Sequence, residues 1–137
     1  VYVVTGGLGG LGLLLAGDIL ARTRHAQVVL TGRAAPGAEL DARLQATGLG
    51  ERLHYRRLDL LSLDDCRRFF ADVAADVGGV RGVFHCAGMR DDEVLLKKSA
   101  ESVSAVLAPK VRGTWNLDQA SAEADLDVFV LFSSGVA

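Results

Sequence analysis

The sequence predicts an α/β protein built on a parallel sheet covered on both faces. Two observations predict it. Short apolar runs rich in Val, Leu and Phe alternate with longer stretches of helical spacing, and a glycine-rich segment stands directly between the first run and the first helix. Apolar residues fill 50% of the 137 positions, enough for one continuous core, so a single domain over residues 1–137 is expected.

The elements follow in order. Val1–Val4 is a first strand, short and apolar throughout, as strands buried on both faces are. Gly10–Arg22 places its leucines at helical spacing and is a first helix. Gln27–Thr31 is the second strand, and Ala34-Ala35-Pro36-Gly37 is a loop ahead of a second helix over Ala38–Thr47. Leu53–Leu58 is the third strand. Ser62 followed by Asp65 forms a capping box for a third helix over Leu63–Val77, and Gly78-Gly79 stops it. Val80–His85 is the fourth strand, Glu101–Ala124 the fourth helix and Val128–Phe132 the fifth strand. No internal repeat, low-complexity tract or long linker interrupts this order.

Charge and composition exclude several roles. The net charge of −2 is spread over scattered acids and bases, with no basic block to neutralise the phosphates of a nucleic acid. No apolar run approaches the roughly 20 residues that span a bilayer, and the start lacks the charged n-region of a signal peptide. A soluble, cytoplasmic protein is expected. Cys66 and Cys86 lie in no metal-ligand spacing, so reduced buried thiols are expected and no metal site. The chain starts inside one apolar run and stops after another, as if excised at both ends.

Thr5-Gly6-Gly7-Leu8-Gly9-Gly10-Leu11-Gly12 is the strongest chemical signal, because of where it stands. Between a strand and a helix, glycines let the backbone turn sharply and approach a pyrophosphate, while the helix N-terminus offers free N–H groups to it. Gly6, Gly10 and Gly12 fit the spacing TGxxxGxG. The alternative is a glycine loop that binds nothing. No Gly-Lys-Ser/Thr ending is present to serve the phosphates of a nucleoside triphosphate. At the tip of the second strand, where an NAD site offers a carboxylate to the ribose, the chain has Thr31-Gly32-Arg33. An arginine there pairs with a 2′-phosphate, which favours NADPH, although a plain surface arginine is the competing reading. Asp59, followed by Leu60 after the third strand, can accept from an adenine amino group or serve as a helix-entry residue.

A nucleotide site does not name a reaction; later segments are more specific. His85-Cys86-Ala87-Gly88 resembles the HxAG segment of short-chain dehydrogenases/reductases. Leu107-Ala108-Pro109-Lys110-Val111 and Phe129-Val130-Leu131-Phe132-Ser133-Ser134 resemble the LAPKV and FVLFSS segments of ketoreductase domains in modular polyketide synthases, and the resemblance runs the length of the chain. It implies a Rossmann-like doubly wound sheet of strand order 3-2-1-4-5, incomplete at its C-terminal edge, with NADPH across the strand ends. His85, Cys86, Ala87 and Gly88 then belong to the cofactor site. It also implies two catalytic residues: Ser134, polarising the substrate carbonyl, and Lys110, favouring the ionised form of a tyrosine. Ser133 competes with Ser134, since alternation aims only one of the pair at the cofactor.

The family's tyrosine and asparagine have no counterpart here, so the chain by itself is expected not to reduce a ketone, and its fifth strand is expected to be an exposed edge of a marginally stable fold. Arg90-Asp91-Asp92 stands where many members carry Leu-Asp-Asp, a triplet associated with a D-configured hydroxyl. Asp91 and Asp92 match and Arg90 departs; two acids before a helix also simply favour its N-terminus. Lys97-Lys98 is a solvated face or a basic spot for a phosphopantetheine arm or an acidic carrier protein. The activity implied for the parent is reduction of a β-ketoacyl thioester on an acyl carrier protein within a multidomain synthase. A free-standing reductase of a small ketone or fatty acyl thioester, a non-catalytic structural subdomain and a carrier-docking module are the other readings.

Overall fold

The computed structural model describes residues 1–89 and 99–133. Among them the chain order is β1 (Tyr2–Thr5), α1 (Gly10–Arg22), β2 (Val28–Gly32), α2 (Ala38–Gln45), β3 (Leu53–Arg57), α3 (Leu63–Asp76), β4 (Gly82–His85), α4 (Ala100–Ala120) and β5 (Val128–Leu131). The strands form one parallel sheet in the order β3-β2-β1-β4-β5, the order expected from the sequence. Thr5 pairs in register with Thr31 on one side and His85 on the other, so the strand C-termini end on one rim.

Alternation along the strands builds two cores. Val3, Val29 and Val83 face one way and join Cys66, Phe69, Phe70 and Val73 of α3 and Leu117 of α4. Val4, Val28 and Leu30 face the other way and pack on Ala16 and Leu20 of α1, with Tyr55 and Phe84 at the margin. This double burial explains why β1 and β2 are largely apolar rather than alternating.

Several element ends differ from the sequence expectation. Val1 precedes β1, its backbone nitrogen donating to the Gly79 carbonyl at 2.8 Å, and Thr5 completes the strand. Val80 is buried in the core and the Arg81 N–H donates to the Val1 carbonyl, but the paired register of β4 starts only at Gly82. Phe132 follows β5, although its N–H still donates to the His85 carbonyl. Helix α4 starts at Ala100, with the Ser99 hydroxyl accepting from the Ser102 N–H, and ends at Ala120, where Ser121 caps it and residues 121–124 turn. Ser62 caps α3 as expected, its hydroxyl accepting from the Asp65 N–H at 3.2 Å.

At the rim opposite the strand C-termini, Arg81 binds Asp125 and Asp127 and ties the entry of β4 to that of β5. No described helix is long and apolar enough to cross a membrane.

Candidate functional site

The turn from β1 to α1 is shaped by its neighbours. Gly6 has φ +64°, a left-handed conformation, and a Cβ there would lie 2.7 Å from the Ala87 Cα. The turn is therefore pressed against the end of β4. The Gly7 N–H donates to the Thr31 carbonyl at 3.0 Å, tying the turn to β2, and a Cβ on Gly12 would meet the Gly7 Cα at 2.6 Å, which seats α1 directly on the turn. A Cβ on Gly10, by contrast, meets no atom within 4 Å.

Gly9 caps α1 without a side-chain hydrogen bond, and the first helical turn carries no acid. The N–H groups of Gly10, Leu11 and Gly12 have no acceptor among the described residues, which leaves the positive end of the helix open to an anion. The donor set fits a pyrophosphate.

A cleft of about 300 Å³ runs along the rim. Gly6, Arg33, Asp59, Leu60, Ala87 and Gly88 all line it, so the structure brings these six sequence-selected residues together. Met89, Ala105, Ala108 and Pro109 add an apolar wall. Arg33 is exposed at the tip of β2 and has no hydrogen-bond or ion-pair partner among the described residues, which fits it to an anion in the cleft. One Asp59 oxygen accepts from the Leu61 N–H at 2.9 Å, a turn-forming bond that leaves the other oxygen to the cleft.

Lys110 reaches the same rim from α4. Its Nζ donates to the Phe132 carbonyl just past β5 at 2.7 Å, and its Cε lies 3.2 Å from where a Gly88 Cβ would stand. The absence of a side chain at Gly88 therefore makes room for the lysine.

Thr5 and His85 are close to the site but turned away from solvent, both essentially fully buried. The Thr5 Oγ1 and His85 Nδ1 are 2.6 Å apart, the Ala87 N–H donates to Thr5 Oγ1 at 3.3 Å, and His85 Nε2 lies 2.9 Å from the Pro109 carbonyl. Burial, opposed by the bond to Pro109 and reinforced by Lys110, pushes the imidazole pKa below its ordinary value. Cys86 packs at the margin of the core on the α1 side, and burial pushes its thiol pKa up against the pull of Lys110. Ser134, Asp91 and Asp92, with Arg90, Lys97 and Lys98, lie outside the described residues. No cluster of three or more potential metal ligands occurs among the described residues.

Two contributors carry no sequence signal, because each bonds to a distant backbone carbonyl. Arg43 of α2 donates to the Leu8 carbonyl at 2.9 Å and straps the glycine-rich turn. Buried Asn116 of α4 donates to the Leu60 carbonyl at 2.8 Å and fixes the floor of the cleft.

The sequence profile of the KR domain family matches residues 1–137. Among curated proteins, the chain is 38% identical over 135 residues to polyketide synthase PksN and 40% identical over 136 residues to polyketide synthase PksL, both of Bacillus subtilis strain 168. Each alignment takes in 98% of this chain but only 2% and 3% of the relatives' own lengths. Among solved structures, an N-terminal ketoreductase from the macrolactin assembly line superposes with a TM-score of 0.88 at 36% identity, over 97% of this chain and 27% of that one.

Proposed function

The chain belongs to the KR domain family, and from that premise we propose that it is the dinucleotide-binding part of an NADPH-dependent ketoreductase in a polyketide synthase. The reaction of the parent is reduction of a β-ketoacyl thioester, carried on the phosphopantetheine arm of an acyl carrier protein, to the β-hydroxyacyl thioester. The carrier protein and the other domains of the synthase are its partners.

One observation carries the reading. At the Gly88 end of a cleft whose other residues include Gly6 and Arg33, which has no partner among the described residues, Lys110 holds an ammonium group beside the ends of β4 and β5. NADPH, when bound, supplies the hydride. Arg33 pairs with the 2′-phosphate, the N–H groups of Gly10, Leu11 and Gly12 receive the pyrophosphate, and the spare Asp59 oxygen accepts from the adenine amino group. The ammonium of Lys110 stabilises negative charge on a tyrosine that donates the proton, and Ser134 hydrogen-bonds the ketone oxygen. The tyrosine and its companion asparagine come from the rest of the parent. Asp91 and Asp92 favour a D-configured hydroxyl.

The test is a fluorescence titration of NADPH and NADH into the chain and its Arg33→Ala variant. Selective NADPH binding that falls toward the NADH level in the variant is expected. Equal affinity for both cofactors in the parent chain overturns the 2′-phosphate role, and no binding by a folded chain overturns the dinucleotide site.

A further inference from the structure

We propose that His85 is a positioning residue for Lys110, an imidazole clamp that fixes helix α4 at Pro109 against the glycine-rich turn. The proposal rests on the reading of Lys110 given above.

The hydrogens of the clamp follow from its partners. A carbonyl only accepts, so His85 Nε2 must carry the hydrogen that Pro109 receives. A neutral ring then has a bare Nδ1, which must accept from the Thr5 hydroxyl at 2.6 Å. Thr5 Oγ1 in turn accepts from the Ala87 N–H. The bonds run in one direction, from Ala87 through Thr5 and His85 to Pro109, and use every polar atom of two side chains that water does not reach.

Charging the ring would break this order. A hydrogen on Nδ1 would donate to the Thr5 oxygen and leave the Thr5 hydroxyl hydrogen without its acceptor in a buried place, and the ammonium of Lys110 lies one residue along α4. The groups facing the imidazole are Thr5 from β1 and Pro109 with Lys110 from α4, with the Cys86 thiol as its chain neighbour; no carboxylate hydrogen-bonds it among the described residues.

The clamp acts where α4 is weakest. Pro109 has no N–H and cannot supply the helical bond to Ala105, so this turn of α4 is held by one bond fewer. The bond from His85 enters at that residue, immediately before Lys110, and sets the rotation of the helix that aims Nζ at Phe132. Because Gly6 touches Ala87, the same bonds join the cofactor turn to the lysine.

The experiment uses the complete ketoreductase domain that contains this chain. Nitrogen-15 NMR of the imidazole is expected to show the neutral Nε2–H tautomer at pH 7, with its protonation midpoint below that of an ordinary histidine. His85→Leu is expected to lower kcat at saturating NADPH by at least about tenfold, with KM for the ketone little changed. With the lysine no longer held, the tyrosine pKa rises and the alkaline limb of the kcat profile moves up by about one pH unit. His85→Gln, which keeps a donor at the Nε2 position, restores most of kcat.

An Nδ1–H tautomer or a charged ring at pH 7 overturns the clamp, and so does a folded His85→Leu domain with parental kcat and pH profile. Should His85→Leu fail to fold, the parental tautomer and the His85→Gln profile decide. Absence of ketone reduction by the parental domain overturns the functional reading instead; the tautomer is read without any reaction.

Discussion

Gly6, Gly10 and Gly12 do different work in one turn. Gly6→Ala is forced into a left-handed conformation and against the Ala87 backbone, so it should destabilise the chain by at least about 1–2 kcal/mol in urea denaturation. Gly10→Ala meets nothing and improves helix propensity, so it should leave stability unchanged or raise it by up to about 1 kcal/mol. Under the proposed cofactor site it should nevertheless weaken NADPH binding, because the added methyl would stand where the phosphates are proposed to approach; unaltered affinity in the same titration would remove the pyrophosphate from this spot. All three glycines are plain in the sequence as one string. Gly6 is held by Ala87, far along the chain, and Gly12 by Gly7 within the turn, while Gly10 stays open. Cys66 takes its character from the core in which it is buried. Burial, with Asp65 and Asp59 nearby, pushes its thiol pKa from the ordinary 9.0 up to about 11. The unfolded thiol loses its proton from pH 9 upward while the folded one keeps it, so stability falls between pH 9 and 11. Denaturation midpoints at pH 8 and pH 10 should show a smaller drop in Cys66→Ala than in the parent.

At the scale of the element, helix starts were readable because their signals are local. Ser62→Ala removes the acceptor for the Asp65 N–H and should cost about 1 kcal/mol, measurable as a shift in the urea midpoint with unchanged slope. Strand ends were less readable. Val1, Val80 and Phe132 are as apolar as the strands they flank, yet hydrogen-bond register, which apolarity does not encode, leaves them out. Helix α4 holds both kinds of information. The Leu107–Val111 segment was recognisable as a string, whereas the bond from His85 to Pro109 joins a side chain to a backbone carbonyl and leaves no residue pattern to detect.

Over the whole molecule, strand order was legible from the alternation of runs and the segments resembling a known family. The sharing of the core between two faces of the sheet comes only with the register. Leu117 of α4 is fully buried in the core on the α3 face, so Leu117→Ala should cost about 2–5 kcal/mol. Val103, Leu107, Val111 and Trp115 recur every fourth residue on α4 and are all exposed, with Val111 and Trp115 at 66% and 62%. A stripe of this size favours association. Sedimentation of the chain by itself should therefore depend on concentration, and Val111→Glu should reduce that dependence.

Pro109 has one further consequence, and it concerns how the domain tolerates change. A helix is ordinarily placed by its two ends, so lengthening either end threatens everything it carries. Here α4 is indexed from the middle, by an imidazole bolted to the carbonyl next to Lys110. Its ends are thereby released from the duty of aiming the lysine. Under the proposed clamp, insertions at either end of α4 should leave the Lys110 amine at the Phe132 carbonyl.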